Sequence, residues 1–147
     1  RGDHLEPVIR HGTEIGIAAF RPFVSERCVA REVSPRRLER LQAVAREAAE
    51  QSERGLVPSI AGPVPLRDAL DPTAVLLYER ADGARLGSLI PPAGLVIGPE
   101  GGFSPGEVAA AERAGMTVAG LGPRILRSES VALAAAAVVL SRSGDFA

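Results

Sequence analysis

Residues 94–107 read GLVIGPEGGFSPGE, and this stretch decides the fold of the chain. It begins with a short apolar run at residues 95–97 that stops at a glycine-rich turn, a pattern typical of a buried strand. Residues 98, 101 and 102 of the turn are glycines, and a ligand can lie directly on a main chain that carries no Cβ atoms. The turn is therefore a candidate ligand loop.

A helix start follows the turn. Ser104 is the predicted N-cap and Pro105 the first helical residue, while Glu107 stands three residues after the cap, where it closes a capping box. Gly115 is well placed to end this helix in a left-handed conformation. The spacing of Glu107 therefore favours a purely local role for its side chain.

A second, similar unit comes next, because residues 120–131 read GLGPRILRSESV. Residues 117–121 predict another short strand that ends in a Gly-Pro turn, and residues 131–140 predict an apolar helix. Consecutive strand-to-helix loops lie side by side when their strands are parallel neighbours, at the sheet edge where α/β proteins bind ligands. We therefore expect residues 98–102 and 121–126 to form one site.

The rest of the chain alternates between strand and helix patterns. Strands are predicted at residues 15–20, 57–60 and 74–78. Helices are predicted at residues 7–13, 35–51, 66–70 and 84–89. Ser34 is the expected N-cap of the longest helix. This alternation predicts an α/β fold with a parallel sheet, in a single domain over residues 1–147.

Composition and charge exclude several classes of protein. The 147 residues are 46% apolar with a formal net charge of −1, so nucleic-acid binding would need a local basic patch. All 17 basic residues are arginine, which excludes a lysine nucleophile or Schiff base. Arginine suits bidentate phosphate contacts, although its exclusive use equally fits compositional drift. The arginines between residues 31 and 46 alternate with glutamates, which indicates a solvated helix face.

Only a few residues give evidence about the cellular compartment, metal binding and membrane contact of the protein. Cys28 is the only cysteine, so no internal disulfide is expected and a reducing, cytoplasmic location is predicted. Cys28, His4 and His11 lack the paired spacing of metal ligands, so no metal is expected. The longest unbroken apolar run, at residues 131–140, is too short to span a bilayer, so no membrane is expected as a partner.

The two glycine loops resemble the signature of a known family. Residues 97–104 (IGPEGGFS) with Glu107, followed by residues 121–129 (LGPRILRSE), are similar to the motifs of the bacterial small-subunit ribosomal RNA uridine N3-methyltransferases. This family belongs to the SPOUT superfamily of knotted methyltransferases that use S-adenosylmethionine. The resemblance extends from about Leu5 to Ala136 and includes residues 13–17 (TEIGI), 25–27 (SER), 47–52 (EAAEQS) and Arg54.

The sequence departs from the family pattern at four positions. Ser128 and Ser130 replace the usual threonines and Val131 replaces the usual alanine. Because serine retains the hydroxyl group, hydrogen bonding is expected to survive at Ser128 and Ser130. His11 stands where many members have lysine, and this change can weaken a substrate contact.

The resemblance implies a SPOUT-type fold, which is a parallel α/β sheet with helices on both faces and a C-terminal deep trefoil knot from about residue 74 onward. Such knots are almost absent from other folds. It also implies a homodimer, because SPOUT sites are usually completed across two subunits. Family members carry an N-terminal PUA-type β-barrel that helps to hold RNA. Residues 1–147 are therefore expected to be the catalytic domain without it, either excised from a longer chain or a natural variant.

The resemblance further implies S-adenosylmethionine as the cofactor and small-subunit ribosomal RNA as the partner. The cofactor-binding residues that it implies lie in the two loops and at the ends of their strands: Leu77, Ile97, Gly98, Pro99, Glu100, Gly101, Gly102, Leu121, Gly122, Arg124, Ile125 and Leu126. N3 of uridine is on the Watson–Crick edge, so the target base must be unpaired or flipped out. Arg127 and Glu129 are the predicted catalytic residues. Arg127 orients or stabilises the uracil edge, and Glu129 positions it.

Three alternatives stay open at this point. Glu129 can instead satisfy the N-terminus of the last helix, where a carboxylate is favourable. The chain can be a non-catalytic RNA- or nucleotide-binding module that kept the fold. It can also be an unrelated phosphate-binding α/β protein, since a glycine turn before a helix holds anions, although this turn lacks the lysine of a P-loop.

Overall fold

The computed structural model describes residues 4–29 and 33–146 of the chain. Its helices are α1 (Leu5–Ile15), α2 (Pro35–Gln51), α3 (Leu66–Ala69), α4 (Pro105–Arg113) and α5 (Ser128–Ser143). Its strands are β1 (Ala19–Phe20), β2 (Phe23–Val24), β3 (Ser59–Ile60), β4 (Val64–Pro65), β5 (Ala74–Leu77), β6 (Ala84–Arg85), β7 (Gly94–Ile97) and β8 (Thr117–Gly120). Residues 31 and 32 of the predicted arginine–glutamate face lie outside the described residues.

The central sheet has four parallel strands in the order β6–β8–β5–β7. On one side of β5, Leu77 lies opposite Ile97 of β7, and on the other side it lies opposite Ala119 of β8. Because all the strands are parallel, their carboxyl ends meet at one edge of the sheet. The predicted parallel sheet is confirmed, and β7 and β8 bring the two glycine loops to either side of the end of β5.

Helices cover both faces of this sheet, as expected. On one face, Leu76 and Val96 pack in the same core as Ala111 of α4. On the other face, Val75 packs in the same core as Ala135 of α5. All four residues of β5 are buried, which explains why its sequence is a continuous apolar run rather than an alternating one.

The N-terminal part of the chain forms a third core between α1 and α2. Ile9 packs there with Leu41, Val44 and Ala45. Beside this core, β1 pairs in parallel with β3, and β2 pairs in parallel with β4. The sequence did not predict β2 and β4, because strands of two residues show no alternation and Pro65 indicates a loop.

The end of α1 differs from the prediction. A strand was expected from residue 15, but Ile15 is the last residue of α1 and β1 begins only at residue 19. The guanidinium of Arg54 donates hydrogen bonds to the carbonyl oxygens of Thr13 (2.8 Å), Ile17 (2.8 Å) and Gly16 (3.3 Å). Because residue 54 stabilises the helix end from a distance, the local pattern alone could not locate it. The TEIGI motif and Arg54 therefore have a structural role here.

The helix predicted at residues 84–89 is wrong. Ala84 and Arg85 form β6 instead, and a short 3-10 turn (Leu86–Ser88) follows. Ala84 pairs opposite Ala119 of β8, so an inter-strand contact overrides the local helix preference.

The other helix predictions are confirmed, with shifted ends. The hydroxyl of Ser34 accepts a hydrogen bond from the main-chain N–H of Arg37 (3.2 Å), so α2 starts where the sequence places it. The last helix starts at Ser128, three residues earlier than predicted, and runs on to Ser143. No helix within the described part of the chain is long and apolar enough to cross a membrane.

Candidate functional site

The loop after β7 is folded around the ring of Phe103. This ring is 1% exposed and stacks on Phe23, with ring centroids 6.2 Å apart. A Cβ atom on Gly98 would lie 3.1 Å from the ring, which is a tight contact, so glycine at residue 98 lets Phe103 pack without being displaced. The N–H of Gly102 donates to the carbonyl oxygen of Pro99 (2.8 Å), and Gly102 has a φ of 67°. The loop is thus a closed turn that needs glycine for its own packing and backbone conformation.

The predicted capping box at the start of α4 is confirmed. Glu107 accepts a hydrogen bond from the N–H of Ser104 (2.9 Å), and Ser104 accepts one from the N–H of Glu107 (3.3 Å). The second carboxylate oxygen of Glu107 accepts a further bond from the N–H of Glu26 (2.7 Å). Glu107 therefore also holds the turn at residues 25–28 against the start of α4, a role that its local spacing could not reveal.

The turn at residues 25–28 reaches the glycine loop through Arg27. Its Nη1 donates to the carbonyl oxygen of Gly101 (3.0 Å). A Cβ atom on Gly101 would lie 3.1 Å from the Cβ of Arg27, so the arginine stem packs directly over this glycine. The sequence linked these two segments only through the family resemblance, because 74 residues separate Arg27 from Gly101.

The start of α5, directly after the second glycine loop, contacts the first glycine loop. The hydroxyl of Ser128, at the start of α5, donates to the carbonyl oxygen of Gly98 (2.9 Å). Leu77 ends the strand that lies between β7 and β8. Nothing lies within 4 Å of the position that a Cβ atom on Gly122 would occupy. The hydroxyl of Ser128 therefore links the start of α5 to the first loop. The second loop leaves open space beside Gly122.

The apolar residues of the predicted cofactor-binding set divide into two groups. Leu77 is buried, and Ile97 and Leu121 pack partly buried against the same core as α5. Ile125 and Leu126 are instead 85% and 39% exposed. The inner wall of the site is therefore built by the sheet, whereas the outer wall stands open in a single chain.

Three titratable side chains meet at the mouth of this site. Nε2 of His4 lies 2.9 Å from Oε1 of Glu100, and Nδ1 of His4 lies 3.4 Å from Oε2 of Glu129. Apart from this long His4 contact, the buried Oε2 atom of Glu129 has no hydrogen-bond partner among the described residues. A buried acceptor in this state is uncommon in native proteins, so Glu129 retains hydrogen-bonding capacity at the place where a ligand is expected.

The two arginines of the second loop form no ion pair with a carboxylate of the described residues. Arg124 and Arg127 are exposed, and within residues 4–29 and 33–146 neither side chain has a hydrogen bond or ion pair. The main-chain carbonyl oxygen of Arg127 accepts the first hydrogen bond of α5, from the N–H of Val131 (2.9 Å). The backbone of Arg127 thus begins the helix, while its guanidinium stays available.

The histidines and the cysteine lie apart from one another. His4 contacts Glu100, His11 contacts Glu14 (3.0 Å), and the Sγ of Cys28 contacts the hydroxyl of Ser25 (3.3 Å). No group of three His, Cys, Asp or Glu side chains in the described residues could hold a metal ion.

Two cavities lie away from the glycine loops. One, of about 530 Å³, is lined by Arg10, Glu14, Glu47, Ala48, Glu50, Gln51 and Glu53. The other, of about 240 Å³, is lined by Glu26, Leu66, Arg67, Leu70, Ser104, Gly106, Glu107 and Ala110. The excess of carboxylates in the larger cavity disfavours a phosphate ligand there, although it includes part of the EAAEQS motif.

Sequence comparison places these features in a known group of proteins. The family model described as an RNA methyltransferase domain matches residues 1–140. A Synechocystis protein named ribosomal RNA small subunit methyltransferase E is 36% identical over 140 residues, which cover 87% of this chain and 46% of that protein. A Bacillus subtilis protein of the same name is 34% identical, covering 95% of this chain and 61% of that protein. The chain thus spans about half to three fifths of the length of these relatives.

Structural comparison agrees. The chain is similar over 100% of its length to the ribosomal RNA small subunit methyltransferase E of Neisseria gonorrhoeae bound to S-adenosylmethionine. The TM-score is 0.91 at 34% sequence identity, and 64% of that chain is covered. A Legionella pneumophila structure in complex with S-adenosylmethionine matches with a TM-score of 0.85 at 27% identity, covering 96% of this chain and 62% of that one.

Proposed function

The chain belongs to the RNA methyltransferase domain family, and from this premise we propose that it methylates N3 of an unpaired uridine in small-subunit ribosomal RNA with S-adenosylmethionine. The observation that carries the proposal is the junction of the two glycine loops, made by the 2.9 Å hydrogen bond from Ser128 to Gly98. A relative with the same fold along the whole length of this chain binds S-adenosylmethionine.

The residues at the junction fit this cofactor. When bound, S-adenosylmethionine supplies an electrophilic methyl group on a positively charged sulfur. Main-chain groups of residues 98–102 and 121–126 offer hydrogen bonds for adenine and ribose, and Leu77 and Ile97 offer an apolar wall. Oε2 of Glu129, whose near neighbour is His4 at 3.4 Å, offers a carboxylate oxygen, and the space beside Gly122 is open.

The polar residues of the second loop fit the uridine. The N3 atom carries a proton, which must pass to a base or to solvent as the methyl group arrives, and the negative charge that develops on the base must be stabilised. Arg127 is exposed and has no carboxylate partner among the described residues. Its guanidinium orients the uracil edge and stabilises negative charge on it, while Glu129 positions the base. Holding the reacting atoms in this way is the main contribution that the protein makes to the rate.

We also propose that the enzyme is a homodimer. The support is the exposure of Ile125 (85%) and Leu126 (39%), which are expected to contact the cofactor. A second copy laid over these residues would complete the outer wall that one chain leaves open. Sedimentation equilibrium tests this, because Ile125→Glu should convert a dimer to a monomer, whereas a chain that is monomeric before substitution contradicts it.

The trefoil knot belongs to the same proposal. Its support is the strand order, because β8 comes last in sequence but lies between β5 and β6. The last strand thus lies between strands formed by earlier segments, as it would if the end of the chain were threaded through a loop. Stretching a single molecule from its termini should leave it shorter than a fully extended chain, and complete extension would contradict the knot.

Calorimetry and methyl transfer test the function directly. The chain should bind S-adenosylmethionine and transfer labelled methyl to naked small-subunit RNA or to the small subunit. Ser128→Ala should weaken cofactor binding about fivefold, since one hydrogen bond contributes about 1 kcal/mol. Ser130→Ala is the matched control, because the hydrogen bond expected at Ser130 is not formed: its hydroxyl is exposed and has no partner in the described residues.

The outcomes separate the remaining alternatives. No cofactor binding contradicts the proposal. Cofactor and RNA binding without methyl transfer would favour the non-catalytic RNA- or nucleotide-binding module. Arg127→Ala should lower the transfer rate while cofactor affinity stays unchanged. The cytoplasmic location expected from Cys28 stays a prediction.

A further inference from the structure

The turn at residues 25–28 is fixed beside the candidate site by contacts that leave one cationic group exposed. We propose that Arg27 contacts a phosphate of the RNA strand that carries the target uridine. The inference rests on the function proposed above and adds a substrate-contacting residue from a segment far from both glycine loops in sequence.

The turn is held in one conformation before any ligand arrives. Within it, the N–H of Cys28 donates to the carbonyl oxygen of Ser25 (3.2 Å), and the N–H of Ser25 lies 3.4 Å from Sγ of Cys28. Ser25 is buried. The N–H of Glu26 donates to Glu107 (2.7 Å) at the start of α4. A residue presented by such a turn loses little conformational entropy on binding.

Arg27 is oriented along the cofactor loop. Its stem packs over Gly101, and a single guanidinium nitrogen, Nη1, donates to the Gly101 carbonyl oxygen (3.0 Å). The side chain is otherwise exposed, so most of its N–H donors remain free. A planar guanidinium with free paired donors matches the geometry of a phosphate group.

No carboxylate neutralises Arg27 within the part of the chain that the structure describes. Arg67 and Arg10, by contrast, lie 3.5 Å and 3.8 Å from the carboxylates of Asp68 and Glu47. Glu100, next to Gly101, lies within 2.9 Å of His4 rather than pairing with the arginine. Among the described residues, the guanidinium of Arg27 is therefore not paired with a carboxylate.

The position of this charge agrees with the overall electrostatics. A chain with a net charge of −1 needs a local basic patch to bind RNA. Arg124 and Arg127, in the second loop, are also exposed and unpaired in the described residues. Arg27 adds a cation on the side of the first loop, so the cofactor loops would be flanked by arginines on both sides.

The salt dependence of RNA binding shows whether Arg27 contacts an RNA phosphate or only ties the turn at residues 25–28 to the first glycine loop. The 147-residue chain, with S-adenosylmethionine present, is titrated into a labelled single-stranded RNA that contains uridine, at several salt concentrations. Arg27→Gln removes the charge but keeps a donor for Gly101, and it should weaken binding about tenfold. The slope of log affinity against log salt should fall in magnitude by about 0.7. Arg27→Lys should restore the slope.

Arg113→Gln is the matched control. Arg113 ends α4, at the far end of this helix from the first glycine loop, and it has no ion pair in the described residues. This variant should leave the slope unchanged. Equal slopes for Arg27→Gln and the unaltered chain overturn the inference, as does the absence of RNA binding by the unaltered chain. A loss of cofactor affinity with an unchanged slope also overturns it, since Arg27 would then be only a tether. Failure of the unaltered chain to bind cofactor counts against the proposed function instead.

Discussion

The two glycine loops at the carboxyl edge of the sheet look alike in sequence but are built differently. In the first, the glycines serve the protein itself, because Cβ atoms on Gly98 and Gly101 would lie 3.1 Å from Phe103 and Arg27. In the second, a Cβ atom on Gly122 would meet nothing within 4 Å. A glycine in a ligand loop therefore does not by itself mark a ligand contact.

The difference extends to the residues around these glycines. The first loop ends in a fully buried aromatic ring, whereas residues 123–127 of the second loop are all exposed. Ser128 joins the two loops through Gly98. The first loop thus acts as a rigid base, and the second presents free side chains and open space above it.

The largest expected effect comes from removing the ring on which the first loop is built. Phe103→Ala should destabilise the chain by about 3–5 kcal/mol, because it deletes a fully buried aromatic side chain and leaves a cavity. Urea unfolding measures this. Phe146→Ala is the matched control, since Phe146 is 52% exposed, and a change within about 0.5 kcal/mol is expected there. Equal losses for both variants would show that the first loop does not depend on its ring.

Valine substitutions at the glycines compare the two loops directly. Gly122→Val should leave the unfolding midpoint unchanged but weaken S-adenosylmethionine binding at least about tenfold, or about 1.4 kcal/mol, because the side chain enters the open space. Gly101→Val should instead lower stability by about 1–3 kcal/mol, because the new side chain collides with Arg27. Calorimetry and urea unfolding on the same samples separate the two effects. A Gly122→Val chain with full cofactor affinity would remove the second loop from the cofactor site.

Local signals predicted much of this architecture. The caps at Ser34 and Ser104 and the reciprocal bond of Glu107 depend on residues three positions apart, so the sequence contains all that is needed to find them. The strands β5 and β7 are short apolar runs bounded by turn residues, a pattern that predicts buried strands. The relation between the two loops also followed, because parallel strands put their carboxyl ends at one edge.

The remaining features depend on partners far along the chain. The bond from Glu26 to Glu107 spans 81 residues and that from Arg27 to Gly101 spans 74. Neither has a periodic pattern that could reveal it. For the same reason the two-residue strands were missed, and the helix predicted at residues 84–89 gave way to pairing between Ala84 and Ala119.

The smallest expected effect lies at the opposite edge of the sheet and serves as a reference for both loops. Asp71, just before β5, accepts hydrogen bonds from the hydroxyl (2.7 Å) and the N–H (2.8 Å) of Thr73. The hydroxyl bond, followed by the N–H bond, lowers the pKa of Asp71 below its ordinary value of 3.8. A lowered pKa in the folded state stabilises the protein above the ordinary pKa, and this stabilisation is lost as the pH falls through the lower, folded value.

Thr73→Val removes the hydroxyl with little change of shape, so it isolates this effect. The variant should be slightly less stable than the unaltered chain at neutral pH, and the deficit should shrink as the pH drops below 3.8. Urea midpoints measured across that range test the expectation, and a deficit that does not depend on pH would contradict it. Cofactor affinity should stay unchanged throughout, because Thr73 precedes β5 whereas both glycine loops follow the strands at the other edge. A change in that affinity would mean that the two edges are coupled through β5, and the contrast between the loops could then no longer be assigned to their own contacts.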